Sequence, residues 1–174
     1  MNYSWKVLLP LFAGVIVMIV ILQRQGGSLR TKDTKLGIVS LEFAKTKEEA
    51  QEVLEAWKPS DTNNLTEIAR KNILLDFIFI FFYSLYLFAA CRKIRYHTTK
   101  WQKKVGKNFA YGALLAGGFD IIENGIMLQT LSGDYGTFST LITFVCAVTK
   151  FTLLGFAILY ILLGFPRLFR SYSY

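Results

Sequence analysis

One stretch of the chain, residues 109–131, reads FAYGALLAGGFDIIENGIMLQTL. As a helix it is long enough to cross a hydrocarbon layer of about 30 Å, which takes about 20 residues. Yet it carries three strongly polar side chains, Asp120, Glu123 and Asn124. A charge at the centre of a bilayer costs about 2.5–3.5 kcal/mol, so these groups are expected to face protein or a wet cavity rather than lipid.

Three more apolar blocks lie at residues 7–22, 73–91 and 138–165. They raise the hydrophobic share of the 174 residues to 53%, above the roughly 45–50% of a soluble domain. This pattern excludes a soluble enzyme, a disordered chain and a disulfide scaffold. It predicts an all-α polytopic membrane protein with one membrane domain, residues 1–174, and four transmembrane helices at about residues 5–23, 64–93, 108–131 and 137–164.

The polar segment 24–63 is predicted to lie outside the cytoplasm and to contain one amphipathic helix. Its sequence TKEE at 46–49 is a capping box, in which the Thr46 hydroxyl accepts from the Glu49 N–H while Glu49 reaches back to the cap. The helix, at about residues 46–57, has an acidic face and an opposite apolar face. Such a helix is expected to lie flat on the membrane helices or in the headgroup layer.

The basic residues indicate an orientation. Seven Lys and Arg, with no acid, lie between residues 92 and 107, whereas residues 129–137 contain no basic residue. Because basic residues near span ends stay in the cytoplasm, both termini are predicted to be cytoplasmic. The contrast over the whole chain is weaker, ten basic residues inside against nine outside, because residues 24–71 are themselves rich in Lys.

The net charge of +8 does not point to nucleic acid, because the basic residues flank predicted spans, where they set topology and attract anionic headgroups. The expected partner is the lipid bilayer. His97 is the only histidine, which excludes a multi-histidine metal or haem site within one chain. Cys91 and Cys146 lie at different predicted depths, so no disulfide is expected, and no cofactor is predicted.

Each of the last three predicted spans carries one stripe of small and polar residues at helical spacing. Neighbouring helices can approach closely along such stripes. The charges inside the apolar blocks all fall on them, so they are expected to point at protein. The stripes are Asn72, Asp76, Tyr83 and Ala90; Ala113, Gly117, Asp120 and Asn124, with Ala116 and Glu123 beside them; and Thr143, Cys146, Ala147, Lys150 and Ala157.

At 1.5 Å per residue, Asp76 lies one turn inside the outer end of its helix, while Lys150 lies near the midplane. The charges are therefore predicted to form a column that descends from the outer surface, with Glu42 above it and Lys150 at the bottom. Antiparallel packing places Lys150 within reach of Asp120 or Glu123. The four charges inside the apolar blocks sum to −2 when all are ionised; they are Asp76, Asp120, Glu123 and Lys150. This sum implies a bound cation, a proton or a cationic partner.

Several short motifs together resemble one group of proteins. They are LGIVSLEFA at 36–44, LDF at 75–77, DIIEN at 120–124 and VTKF at 148–151. The set resembles a group of small four-span bacterial inner-membrane proteins to which no activity is assigned. The resemblance implies a bacterial inner membrane and four spans, but it supplies no substrate.

Three hypotheses for the function follow. The first is an outward-facing acidic pocket that binds or transports a cation, a proton or a small amphiphile. The second is a structural or accessory subunit whose buried charges only fix helix packing. The third, less favoured, is a membrane-embedded enzyme that modifies lipids, for which no nucleophile motif is present. A homodimer or a larger membrane complex fits all three. The candidate binding residues are Glu42, Asp76, Asp120, Glu123, Asn124 and Lys150, and the metal, if one binds, is left open.

Overall fold

The structure is a computed structural model that describes residues 3–58, 64–96 and 100–170. Within these residues all regular secondary structure is helical, which confirms the predicted all-α class. A single 3-10 turn, Gly27–Leu29, accompanies six α-helices. These are α1 (Trp5–Gln25), α2 (Val39–Glu42), α3 (Lys47–Ala56), α4 (Leu65–Tyr96), α5 (Lys100–Leu131) and α6 (Thr137–Arg170).

The four long helices pack side by side with alternating direction. Helix α4 packs along α5, α6 packs along α5 and contacts α4, and α1 packs along α4. One end of the molecule, the loop end, holds residues 26–58 and the turn 132–136. The opposite end, the basic end, holds the start of α1 and the end of α4. This arrangement brings residues from α4, α5 and α6 together at matching depths.

Among the described residues, three helices are long and apolar enough to cross a membrane, not the four that the sequence predicted. They are α1, the part of α4 from Leu65 to Arg95, and the part of α6 from Thr137 to Pro166. The predicted third span does form a helix, α5, but Asp120, Glu123, Asn124 and its glycines lower its hydropathy. The predicted third span is therefore helical as expected, but its average hydropathy is lower than expected.

Several helices are longer than predicted. Helix α5 starts at Lys100 instead of at about 108, so the second half of the basic segment 92–107 is helical. Helix α6 continues to Arg170 instead of ending at about 164. Lys and Arg are good helix formers, which accounts for the early start of α5 in the basic segment. His97 and residues 59–63 of the predicted outer segment lie outside the described residues.

Residues 26–58, which follow α1, fold as a cap over the loop end. The predicted capping box is present in part: Thr46 Oγ1 accepts from the Glu49 N–H at 3.2 Å, but the Glu49 carboxylate accepts from the N–H of Lys45 rather than from that of Thr46. Gly37, with φ of +63°, makes the turn that leads into α2, a conformation that favours glycine. The cap thereby directs α2 towards the long helices.

Trp57 anchors this cap. Its side chain is 0% exposed, and its Nε1–H donates to the Leu29 carbonyl and to Thr34 Oγ1, both at 3.2 Å. Thr34 in turn donates to the same carbonyl at 2.7 Å. Around the indole lie apolar side chains from α2, α3, α4 and α5, among them Leu41 and Ile73. The tryptophan therefore connects the outer segment to the long helices.

We predict that Trp57→Ala lowers the free energy of unfolding of the cap by about 3–5 kcal/mol, the usual effect of deleting a buried aromatic side chain. Trypsin should then cleave within residues 30–58 much faster than in the native chain. Trp57→Phe, which keeps most of the apolar contact, is the matched control and should be cleaved only slightly faster. Equal cleavage of both variants would show that the indole does not anchor the cap.

Candidate functional site

The ammonium group of Lys150 lies at the centre of a cluster of acids. Its Nζ is 2.7 Å from Asp120 Oδ1, 2.9 Å from Glu123 Oε1 and 3.1 Å from Glu42 Oε2. All four residues are buried, Glu123 completely and Lys150 to 96%. Asp120 and Glu123 come from neighbouring turns of α5, Lys150 comes from α6, and Glu42 ends α2. One cation therefore joins three helices.

A tyrosine on α4 completes the surroundings of Asp120. The Tyr83 hydroxyl donates to Asp120 Oδ2 at 2.7 Å, so each oxygen of this carboxylate has a partner. Helix α4 reaches α5 closely because Gly117, one turn from Asp120, has no side chain; a Cβ there would lie 3.1 Å from the Ser84 Cβ. The predicted stripe of small residues on α5 thus has the expected role.

Asp76 forms a second, smaller polar contact nearer the loop end. Its Oδ2 accepts a hydrogen bond from the Asn124 side-chain amide at 2.8 Å. Asn124 is buried, whereas Asp76 is only partly buried. The acids within 4.0 Å of the Lys150 ammonium are Glu42, Asp120 and Glu123, and Asp76 is not one of them. The predicted column is thus divided into a buried cluster and a separate Asp76–Asn124 pair.

Aromatic contacts hold Glu42 in place. The next residue, Phe43, stacks on Phe151 with ring centroids 5.8 Å apart and meets Phe144 edge-on at 6.2 Å. Both partners lie on α6, on either side of Lys150 in sequence. Leu41, on the other side of Glu42, is buried in the core of the cap. The cap and α6 together therefore insert the Glu42 carboxylate towards Lys150.

The cluster has fewer positive than negative groups. Three carboxylates surround one ammonium, which gives −2 when all are ionised. Two of their oxygens, Glu42 Oε2 and Glu123 Oε2, are buried and have no hydrogen-bond partner among the described residues. Glu42 Oε2 nevertheless lies 3.1 Å from the ammonium, whereas Glu123 Oε2 has no ionic contact of this kind. Buried polar atoms in native proteins nearly always have a partner, so the donor that such burial calls for is absent at both oxygens among the described residues.

No family model, curated protein or solved structure matches the chain. The resemblance to small four-span bacterial membrane proteins therefore gains no support from these comparisons. The site has to be interpreted from its own geometry.

The structure brings most of the predicted site residues together. Glu42, Asp120, Glu123 and Lys150 form the cluster, and Asn124 pairs with Asp76. The candidate list omitted Tyr83, although its position seven residues after Asp76 on the same helical stripe was a signal for it. Among the described residues, no group of three or more His, Cys, Asp or Glu side chains could hold a metal ion. The Lys150 ammonium occupies the centre of these acids.

We predict that Lys150→Met lowers the free energy of unfolding by about 3–5 kcal/mol, because it leaves buried carboxylates without their cation. Adding Asp120→Asn should restore part of this loss, with a coupling of about 0.5–3 kcal/mol in a double-mutant cycle. The matched control is Lys71→Met, which breaks an exposed 3.7 Å pair with Glu67 and should change stability by no more than about 0.5 kcal/mol. Strictly additive effects at positions 150 and 120 would contradict the coupling.

Proposed function

We propose that this chain is a four-span membrane protein whose buried Lys150 cluster reversibly binds a proton. The proposal has two parts: that α5 crosses the membrane together with α1, α4 and α6, and that the proton is shared between Glu42 and Glu123. The observation that carries it is three buried carboxylates around one ammonium, two of whose oxygens have no hydrogen-bond partner in the described part of the chain.

The outward surface of α5 supports its role as a fourth span. Between residues 111 and 128, α5 has two charged side chains, Asp120 and Glu123, and both are buried. Between residues 111 and 128 the side chains of α5 that are exposed are apolar, apart from positions occupied by glycine. The surface left for lipid is therefore apolar, although the average over the helix is not. The exposed apolar residues are Tyr111, Leu114, Leu115, Ile121 and Ile122.

Cysteine labelling tests the fourth span. In a chain carrying Cys91→Ser and Cys146→Ala, we expect Asp134→Cys to react with a membrane-impermeant maleimide added outside the cytoplasmic membrane. Lys103→Cys is expected to react only after the membrane is permeabilised, because the basic residues 92–107 should stay in the cytoplasm. The two positions lie at opposite ends of α5.

If both positions react on the same side, α5 does not cross the membrane. If Lys103→Cys reacts outside and Asp134→Cys inside, the helix crosses with the opposite orientation. The first result would overturn the fourth span. The second would retain the four spans and overturn the predicted cytoplasmic location of both termini.

A shared proton explains the two unpartnered oxygens. A neutral carboxyl group has one O–H donor, and a carboxylate only accepts. With one proton between Glu42 Oε2 and Glu123 Oε2, one group donates and the other accepts. Both acids contact the same nitrogen, at 3.1 and 2.9 Å, so their carboxyl groups are neighbours. The proton also reduces the charge of the cluster from −2 to −1, which low dielectric favours.

The same geometry favours a proton over the other ligands in the hypothesis. A metal ion would have to bind among carboxylates that all contact Lys150, and its charge would meet the ammonium at close range. A small amphiphile would need open volume among the acids, whereas Glu123 is 0% exposed and Asp120 4%. A proton needs no volume, and Glu42, at 7%, is the most exposed of the three acids and belongs to α2 in the cap.

Infrared spectroscopy tests the shared proton directly. We expect the purified protein to show a C=O stretching band of a neutral carboxylic acid that decreases when the pH is raised and returns when it is lowered. Glu123→Gln and Glu42→Gln should each remove it, because either change abolishes the shared proton. Glu67→Gln, at an exposed acid of α4, is the control and should leave the band unchanged.

No pH-dependent carboxylic acid band, or one that persists in both glutamine variants, would contradict the proton site. The second candidate function, an accessory subunit, would then be favoured, since the cluster connects α2, α4, α5 and α6 through Lys150, Asp120 and Tyr83. In that case the charges fix the register of the helices and titrate with no consequence for function. The described contacts give no specific support to a lipid-modifying enzyme.

A further inference from the structure

A separate apolar groove lies at the basic end, and none of the Lys150 cluster residues lines it. It has a volume of about 330 Å³ and is formed by α1, α4 and α6. Helix α1 packs along α4, and α6 packs along α5, so a gap is left between α1 and α6. Leu9, Phe12 and Ile161 line its apolar part, and Trp5 and Lys93 line it as well.

Lys93 is an unusual residue for such a place. It is only 8% exposed, and buried lysines are nearly always paired with an acid. Among the described residues, however, no carboxylate oxygen lies within 4.0 Å of its ammonium. Its Nζ donates to the Tyr3 carbonyl at 3.0 Å and lies 4.6 Å from the centre of the Trp5 ring.

Within the described part of the chain, these partners leave the charge of Lys93 without an anion. An ammonium has three N–H donors, and the Tyr3 carbonyl takes one of them. The other contact, with the indole ring, is a cation–π interaction and does not neutralise the charge. More positive charge lies at this end of the molecule, from Arg92 and from the exposed Lys103, Lys104 and Lys107.

We propose that this groove is a binding site for one anionic phospholipid, with an acyl chain between α1 and α6 and the phosphate on the Lys93 ammonium. The two halves of such a lipid match the two features of the site: the acyl chain fills an apolar gap between helices, and the phosphate supplies the missing anion. Trp5 and Tyr86, which also line the groove, are aromatic residues of the kind found at the level of lipid headgroups. The site rests on the membrane insertion proposed above but not on the proton of the Lys150 cluster.

Quenching of Trp5 fluorescence by brominated acyl chains tests the site, since Trp5 lines the groove. The protein, with Trp101→Phe to remove one other emitter, is placed in mixed vesicles of phosphatidylcholine and phosphatidylglycerol. In one set the phosphatidylglycerol carries bromine, and in a matched set an equal amount of phosphatidylcholine does. The part of the quenching that disappears in Trp5→Phe is the signal from the groove.

We expect brominated phosphatidylglycerol to occupy the groove about fivefold better than brominated phosphatidylcholine. Lys93→Gln should abolish this preference, and Ala90→Phe, which fills the groove from α4, should reduce the quenching by both lipids. Lys103→Gln removes an exposed basic residue of the same end and should retain the preference.

Equal quenching of Trp5 by both lipids, or a preference that persists in Lys93→Gln, would overturn the anionic lipid site while showing that the protein is inserted. No quenching by either lipid would mean that Trp5 does not meet acyl chains, which would contradict both the groove site and the proposed insertion of α1. The infrared measurement at Glu42 and Glu123 is independent of each of these outcomes.

Discussion

An ammonium group in a nearly dry interior requires anions around it, and this requirement organises the molecule. Lys150 draws Asp120 and Glu123 from α5 and Glu42 from the cap to within 3.1 Å of one nitrogen. Removing one partner of a buried ion pair leaves an uncompensated charge. Replacing all of these charged residues together should therefore destabilise the fold less than replacing one of them. The position of α2, and with it the fold of residues 26–58, therefore depends on a charge in α6.

The sequence was sufficient to predict much of this arrangement because the main constraints are local. Period 3.6 places Ala113, Gly117 and Asp120 on one face of α5, and the price of exposing a carboxylate to lipid requires that face to be buried. The five-residue turn between α5 and α6 fixes their direction, so Lys150 had to lie near Asp120. Capping by Thr46 was likewise readable, since it involves only four consecutive residues.

Other features depend on tertiary contacts that no local pattern encodes. Glu42 reaches Lys150 only because Trp57 anchors the cap and Phe43 stacks on Phe151. The number of apolar spans was overestimated for a related reason: α5 was judged by length, yet its inward polar face lowers its average hydropathy below that of α1. Lys93 was assigned to a basic cluster that sets topology, because sequence alone does not show that its side chain is buried beside a groove.

The polar interior of α5 and its low hydropathy are two aspects of one arrangement. The outward face of α5, with Leu115, Ile121 and Ile122, is apolar whatever its inward face contains. Helices α4 and α6, which carry Tyr83 and Lys150, enclose that inward face, so its charges have partners within the fold. The charges of α5 are therefore compatible with a membrane only as part of the assembled fold. It follows that an α5 peptide alone should not insert stably, whereas the same helix between α4 and α6 should.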